Sequence, residues 1–433
     1  AYGSVKNIEN ITKGDSVVGM NGDNSTTTEA TVTNTHTSVK QSHTISTDSG
    51  NISTSADHEF LTVDDGGGLC YKQVSSLSSG DFIVKPKNHK IETSVPKLDD
   101  LLGEEKKLFV EEESVRDWKN SLENGYKQEA AELFDVSESY CGKTKFWTPE
   151  RVAEFGREVD SATRYKGTQN RLDREITEHE LYLAGLVASD GSMNTTDGIR
   201  FYNTEKKLHE QFPTENSLTE DKTGCYKQNV LNFALMHSYN SLGIPFGDKN
   251  EDGMNLSTIY KLPESYIESF IAGVIDGDGT VSNGSMHISA KHQTTRDWYQ
   301  KLLSRIGVTS SVEKGGLYVH KSETNMKNIS GVLDSMVLDR KYNSVENEST
   351  HDSKYEVIPE SLFESSDYQS KAKYNGTFTR QKSEIETFDE LMFVEIESID
   401  AEGVAKMYDI STTAKSFIAE GFAVHNCSRN DIG

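Results

Sequence analysis

The sequence predicts a multidomain α+β chain, with β segments at its two ends and an α/β unit built from a duplicated half-domain between them. Three observations carry this. Near the start, Val5-Lys-Asn-Ile-Glu-Asn-Ile-Thr-Lys-Gly14-Asp15-Ser-Val-Val alternates apolar and polar positions as a half-buried strand does, and Gly14-Asp15 supplies a turn. Near the end, Ser416-Phe-Ile-Ala-Glu-Gly-Phe-Ala-Val-His425-Asn426-Cys427 is an apolar, strand-like run that closes on three chemically capable side chains. In the interior, Leu183-Ala-Gly-Leu-Val-Ala-Ser-Asp190-Gly191 and Ile271-Ala-Gly-Val-Ile-Asp-Gly-Asp278-Gly279 are two copies of one motif.

The terminal trio has a specific chemistry. An Asn carboxamide nitrogen can attack its own main-chain carbonyl, forming a succinimide and breaking the bond to the next residue. His425 is placed to polarise that carbonyl and protonate the leaving amide, and Cys427 offers a thiol for acyl transfer. A tripeptide recurs by chance, so its meaning rests on what lies upstream. Met407-Tyr-Asp409-Ile-Ser-Thr-Thr-Ala-Lys-Ser-Phe-Ile-Ala-Glu-Gly precedes it. Further back stand Gly50-Asn-Ile-Ser-Thr-Ser55-Ala-Asp-His58-Glu-Phe-Leu-Thr and Tyr71-Lys-Gln-Val-Ser-Ser-Leu-Ser-Ser-Gly80-Asp81-Phe-Ile-Val.

With these segments in this order, the chain resembles inteins. The resemblance implies one discontinuous all-β splicing domain of the Hint type, residues 1–90 with 390–426, and makes 427–433 a remnant of the downstream host protein. The family pattern Thr-x-x-His is met here by Ser55 and His58, which keeps the hydroxyl. By resemblance His58 strains and polarises the upstream scissile peptide, Asp409 assists acyl transfer, and His425, Asn426 and Cys427 perform the downstream steps. Two departures follow. The family's second histidine is replaced by the Ala414-Lys415-Ser416 stretch, so Asn426 cyclisation is expected to lean on His425. At the start, Tyr2-Gly3 follows Ala1 directly, so a strand of roughly five to ten residues and the first nucleophile are expected to be missing, through truncation or engineering. The expected activity is Asn426 cleavage without ordinary splicing.

In the interior motif, closely spaced Ala and Gly let two helices cross with their backbones nearly touching, and each Asp-Gly ends its helix with a carboxylate. Packing the copies about a pseudo-dyad brings Asp190 and Asp278 together. Paired carboxylates bind divalent cations, which activate water and stabilise the leaving oxygen of a phosphodiester. Residues 178–365 resemble the LAGLIDADG homing endonucleases. That resemblance implies Mg²⁺ held by Asp190 and Asp278, Lys261 and Lys354 near the scissile phosphate, a double-stranded DNA homing site as partner, and a monomer with an internal pseudo-twofold. Residues 91–177 read as a linker holding a helix-turn-helix between Tyr126 and Phe155, and 366–389 as a second linker. Two rival readings remain: a free-standing homing endonuclease, which has no need of His425-Asn426-Cys427, and a non-catalytic helix-turn-helix regulator, which has no need of both aspartates.

Composition bounds these readings. At 433 residues the chain suits two or three domains, and no apolar run is long enough to span a membrane. The partners expected are DNA and the flanking extein segments, with no membrane. The four cysteines lack disulfide or zinc spacing. The net charge of −24 runs against DNA binding, which Lys and Arg supply; a cytoplasmic, archaeal and halophilic origin reconciles the two, because salt screens the acidic surface. The unfolding midpoint is therefore expected to rise between low and molar KCl; equal midpoints would overturn this origin.

Overall fold

The structure, a computed structural model, describes residues 6–47, 49–63, 69–87, 93–103, 174–195, 197–212, 218–282, 285–346 and 390–426, with a few isolated positions between. The helix-turn-helix expected between 126 and 155, Lys354 and Cys427 lie outside the described residues. The fold is α+β.

The terminal unit is a nine-stranded sheet assembled from both ends of the chain. Its spine is the antiparallel pair Thr27–Thr47 and Leu391–Thr412. Thr, Val and Ile dominate the first of these, residues that suit a pleated, half-buried surface. Each strand is buried toward its two ends, at Ala30, Val32, Ile45 and Thr47 on one and Val394, Ile396, Ile410 and Thr412 on the other. Between those ends the pair projects into solvent, leaving Val39 and Val404 exposed. Register irregularities between Ala401 and Val404 and between Ser411 and Thr412 bend the ribbon.

The path runs Ser16–Met20, the two long strands, Phe82–Pro86, Glu59–Val63, Phe422–His425 and Ser416–Ala419, with Gly50–Ser55 and Leu69–Gln73 branching from it. Its two ends meet, because Met20 donates its N–H to Ser416 Oγ at 2.8 Å. The sheet is thereby nearly closed over a core that includes Phe60, Ile83, Val394, Phe422 and Val424.

The central unit repeats itself. Glu178–Asp190 leads into a four-stranded sheet ordered Thr219–Glu220, Tyr226–Val230, Gly198–Asn203, Gly191–Asn194. Glu264–Asp278 leads into a second, ordered Ser310–Glu313, Gly316–His320, Ser285–Ser289, Gly279–Ser282 when read in the same direction. Thr177 caps the first helix with a capping box to Glu180, and Pro263 opens the second. The two helices cross at their glycines. A Cβ on Gly185 would lie 2.1 Å from Phe270 O, and one on Gly273 2.1 Å from Tyr182 O. One large apolar core surrounds this crossing, with Leu183, Leu186, Val187, Ile271, Val274 and Ile275 essentially inaccessible.

No methyl fits where backbone already stands. Gly273→Ala is expected to destabilise the central unit by about 1–3 kcal/mol, seen as a lower denaturant midpoint for its transition, with the terminal sheet's transition unmoved.

Candidate functional site

The terminal sheet gathers two groups of side chains. After Gly50–Ser55 the chain turns, with His58 N–H donating to Ser55 O at 3.1 Å, and this turn delivers His58. The imidazole stands edge-on to Phe60, centroids 5.7 Å apart, and tilted against Phe417 at 6.2 Å. Its Nδ1 lies 3.7 Å from Asp409 Oδ2, longer than a hydrogen bond. Asp409 spends its other oxygen on the Ile410 N–H, at 2.7 Å. Ser55, His58 and Asp409 line one cleft, which the helix Gln293–Arg305 of the central unit walls on its far side.

Across the ladder Asp409 pairs with His36, a residue that sequence motifs did not single out. His36 Nε2 lies 3.0 Å from Ser411 Oγ, so a second imidazole borders the same cleft.

The second group lies at the end of the last strand. His425 Nδ1 is 2.8 Å from Asn426 O, the carbonyl whose carbon an Asn426 cyclisation would attack. The same Nδ1 lies 3.4 Å from Glu59 Oε2. The Tyr71 ring meets the imidazole edge at 4.8 Å, and burial raises the Tyr71 phenol pKa. The Asn426 carboxamide sits against Thr412: Nδ2 donates to Thr412 O at 3.2 Å, and Oδ1 lies 3.3 Å from Thr412 Oγ1, whose single hydrogen it shares with the nearer Ser416 O at 2.8 Å. Its backbone N–H donates to Lys415 O at 2.9 Å. Lys415, in the stretch that lacks the second histidine, takes part through its backbone, with its side chain exposed. Glu59, Tyr71 and Thr412 were not foreseen from the sequence. Glu59 was legible in one respect, since it follows His58 at the mouth of a strand where neighbouring side chains face opposite ways.

In the central unit Asp190 and Asp278 stand at the two helix ends beside the crossing. A Cβ on Gly277 would lie 3.3 Å from Asp190 Oδ2. Burial raises both carboxyls above the ordinary range, and Asp190's charge raises Asp278 further. Asn203 Nδ2 donates to Asp190 Oδ2 at 2.6 Å. The equivalent position in the second half, by the pairings Gly191 to Phe201 and Gly279 to Ile288, is Ala290.

The cations acting on this pair are Lys249 and Lys341. Lys249 Nζ donates to the carbonyls of Val187 at 3.0 Å, Gly191 at 2.8 Å, and Ser189. Lys341 Nζ donates to Ile275 O at 2.7 Å and Asp276 O at 2.8 Å. Each ammonium thus caps the negative end of one crossing helix. Lys261 is exposed just after the short helix Ser257–Tyr260 and is not among the charges acting on the aspartates. Sequence motifs did not single out Lys249 or Lys341, and the repeat marks them only loosely: Lys249 follows Asp248 directly, whereas Lys341 stands two residues after Asp339.

A hard divalent cation fits this donor set, because two desolvated carboxylates side by side concentrate negative charge that Lys249 and Lys341 offset only in part. Among the described residues no cluster of three His, Cys, Asp or Glu forms a metal cage, so two protein carboxylates are what the site offers.

Burial holds the Lys249 ammonium down to about 8, against the pull of Asp278 and Asp190. Unfolding restores an ordinary lysine, so from about pH 8 toward 10 the unfolded state binds more protons and stability rises with pH. In denaturant titrations without divalent cations, Lys249→Met is expected to flatten this rise by on the order of 1 kcal/mol.

A family model described as the intein splicing domain matches residues 2–426. An A-type ATP synthase subunit from Methanopyrus kandleri is 29% identical over 293 residues, 61% of this chain and 28% of that protein. The reverse gyrase of Methanocaldococcus jannaschii is 26% identical over 286 residues, 60% of this chain and 17% of that protein. The chain therefore matches about a quarter or less of the length of these curated relatives. A structure of the homing endonuclease I-DmoI in complex with DNA and Ca aligns with 36% of this chain and 89% of its own at 14% identity and a TM-score of 0.27. Full-length DUF199/WhiA from Thermatoga maritima aligns with 41% of this chain and 63% of its own at 15% identity and a TM-score of 0.27.

Proposed function

The chain belongs to the intein splicing domain family, and from that premise we propose that its downstream reaction is cyclisation of Asn426 assisted by His425. The observation that carries this reading is the 2.8 Å approach of His425 Nδ1 to the Asn426 carbonyl oxygen. A donor at that point polarises the carbonyl as Asn426 Nδ2 attacks its carbon, and stabilises the oxyanion that forms. The new bond is Nδ2 to the carbonyl carbon. The bond lost joins that carbon to the nitrogen of Cys427, and the proton shed by Nδ2 is taken up by the departing amine, so protons balance.

The grip of Thr412 on the carboxamide limits its rotation and fixes the starting geometry. The cleft group serves the upstream half of the reaction. His58 polarises the upstream peptide, with Ser55 beside it and Asp409 supporting transfer of the acyl group to the Cys427 thiol. The partners are the flanking extein segments.

The central unit is a site-specific endonuclease for double-stranded DNA, supported by the paired helix-end aspartates and the touching helices between them. Asp190 and Asp278 would hold Mg²⁺, which when bound supplies a Lewis acid for phosphodiester hydrolysis. Asn203 fixes the Asp190 carboxylate, and Lys249 and Lys341 offset the charge of the pair.

Intact mass after long incubation tests the first activity. Loss of the Cys427–Gly433 peptide is expected from the parent chain, none from Asn426→Ala, and release slowed by about 10²-fold or more from His425→Ala. Unchanged release from Asn426→Ala would sink the cyclisation reading. For the second, Mg²⁺-dependent cutting of pooled plasmids carrying random inserts is expected to fall by about 10²-fold in Asp190→Asn or Asp278→Asn.

A further inference from the structure

His425 has two oxygen neighbours at one nitrogen, and the proposed reaction uses one of them. Nδ1 lies 2.8 Å from Asn426 O and 3.4 Å from Glu59 Oε2. We propose that Glu59 is a positioning residue for the downstream step: its carboxylate holds the His425 imidazole in the form that carries hydrogen on Nδ1 and aims that N–H at the Asn426 carbonyl oxygen. The inference rests on the reading that Asn426 cyclises, and it assigns a task to a residue that sequence motifs gave no role, although it directly follows His58.

Both neighbours are acceptors. A carbonyl oxygen and a carboxylate oxygen present only lone pairs, so a bare Nδ1 would face repulsion from both, whereas an Nδ1–H attracts both. With the carbonyl nearer than the carboxylate, the hydrogen points at the group to be polarised and the carboxylate steadies it from the side. A neutral imidazole in solution distributes its hydrogen between two nitrogens; here only one arrangement is satisfied.

The ring has little freedom to escape. Tyr71 packs on it at 4.8 Å, and the Tyr71 hydroxyl is itself anchored, donating to Asn24 Oδ1 at 3.1 Å. The backbones are tied as well, since Val424 pairs with Phe60, one residue along from His425 and Glu59 respectively. The spacing of imidazole and carboxylate is therefore set by a strand pairing rather than by two wandering side chains.

Position along the strand adds a consequence. His58 and Glu59 are consecutive, and the chain there directs His58 to Asp409 and Glu59 to His425. One strand end thus serves both the cleft and the carbonyl at Asn426, so any shift of Glu59–Val63 is felt at both. Both Glu59 and His425 side chains are 25% exposed, so the pair contributes orientation more than stability.

The test uses the full chain carrying Asn426→Ala, which keeps the backbone carbonyl and cannot cleave. Long-range nitrogen–proton NMR of the histidine rings, with His425 identified by the signal lost in His425→Gln, reads which nitrogen bears hydrogen at about pH 8.5, where an ordinary imidazole is neutral. Nδ1–H is expected to dominate, and adding Glu59→Ala to shift the ratio severalfold toward Nε2–H. Glu59→Gln, which retains an acceptor oxygen, should keep most of the parent pattern. In the cleavable chain Glu59→Ala is expected to slow peptide release about tenfold, with Glu59→Gln restoring part of it. Dominant Nε2–H in the parent, or a ratio unmoved by Glu59→Ala, overturns the proposal. If the NMR result holds but the parent chain releases no peptide, the positioning stands and it is the cyclisation reading that fails.

Discussion

The pairing of Thr27–Thr47 with Leu391–Thr412 is the constraint on which the terminal unit depends. It joins segments separated by most of the chain, and it sets which face each later residue presents. Along the second strand Asp409 lines the cleft, where His58 approaches it, and Ser411 meets His36, which borders the same cleft. Ile410 and Thr412 look the other way, into the core and toward Asn426. A slip of one residue would exchange those faces, turning Asp409 away from His58 and Thr412 away from the carboxamide. The buried ends of both strands hold that register, because Val32, Ile45, Val394 and Ile410 would otherwise face water.

In the central unit the comparable constraint is the contact of Gly185 with the backbone at Phe270, and of Gly273 with that at Tyr182. It fixes the separation of the two helix ends and hence of the two aspartates. Close approach carries an electrostatic cost, since it stacks two carboxylates beside two helix C-termini. Lys249 and Lys341 answer that cost from outside the motif, each inserted among the carbonyls of one helix end. The two halves are not identical in chemistry. Asp276 stands where the first half has Ala188, and accepts from Tyr182 Oη at 2.8 Å and Val337 N at 2.7 Å. Asp190 has the Asn203 amide, whereas the equivalent register position in the second half is Ala290, which has no polar side chain to offer.

The units also touch each other. Lys301, on the central helix that walls the cleft, pairs with Glu420 at 2.8 Å. Glu420 sits in the turn of the hairpin that ends at His425 and Asn426. A contact so exposed contributes little to stability, yet it sets the neighbourhood of the hairpin.

Much of this was legible in the amino-acid sequence. An apolar run marked the last strands, the repeat marked the paired helices, and the local chemistry of His425 and Asn426 followed from their adjacency. The alternation after Val5 marked no strand, since Ile8–Asn10 is a short 3-10 helix and the first strand, Ser16–Met20, begins only after the Gly14-Asp15 turn. Adjacency and periodicity are properties of the chain itself, so composition and spacing carry them. What escaped, apart from the crossing of the paired helices, was the set of contacts that arise between elements. Lys261, before Leu-Pro, stands in solvent just after its short helix and is not among the charges acting on the aspartates. Lys249 was passed over because capping a distant helix leaves no local mark beyond the repeat. Glu59, Tyr71, Thr412, His36 and Asn203 went unseen for the same reason. The sequence by itself determined which groups could react and which segments repeat. The tertiary structure alone decided which groups meet, because strand register and helix crossing, the two constraints that bring side chains together here, are satisfied only when distant segments bury their apolar faces against one another.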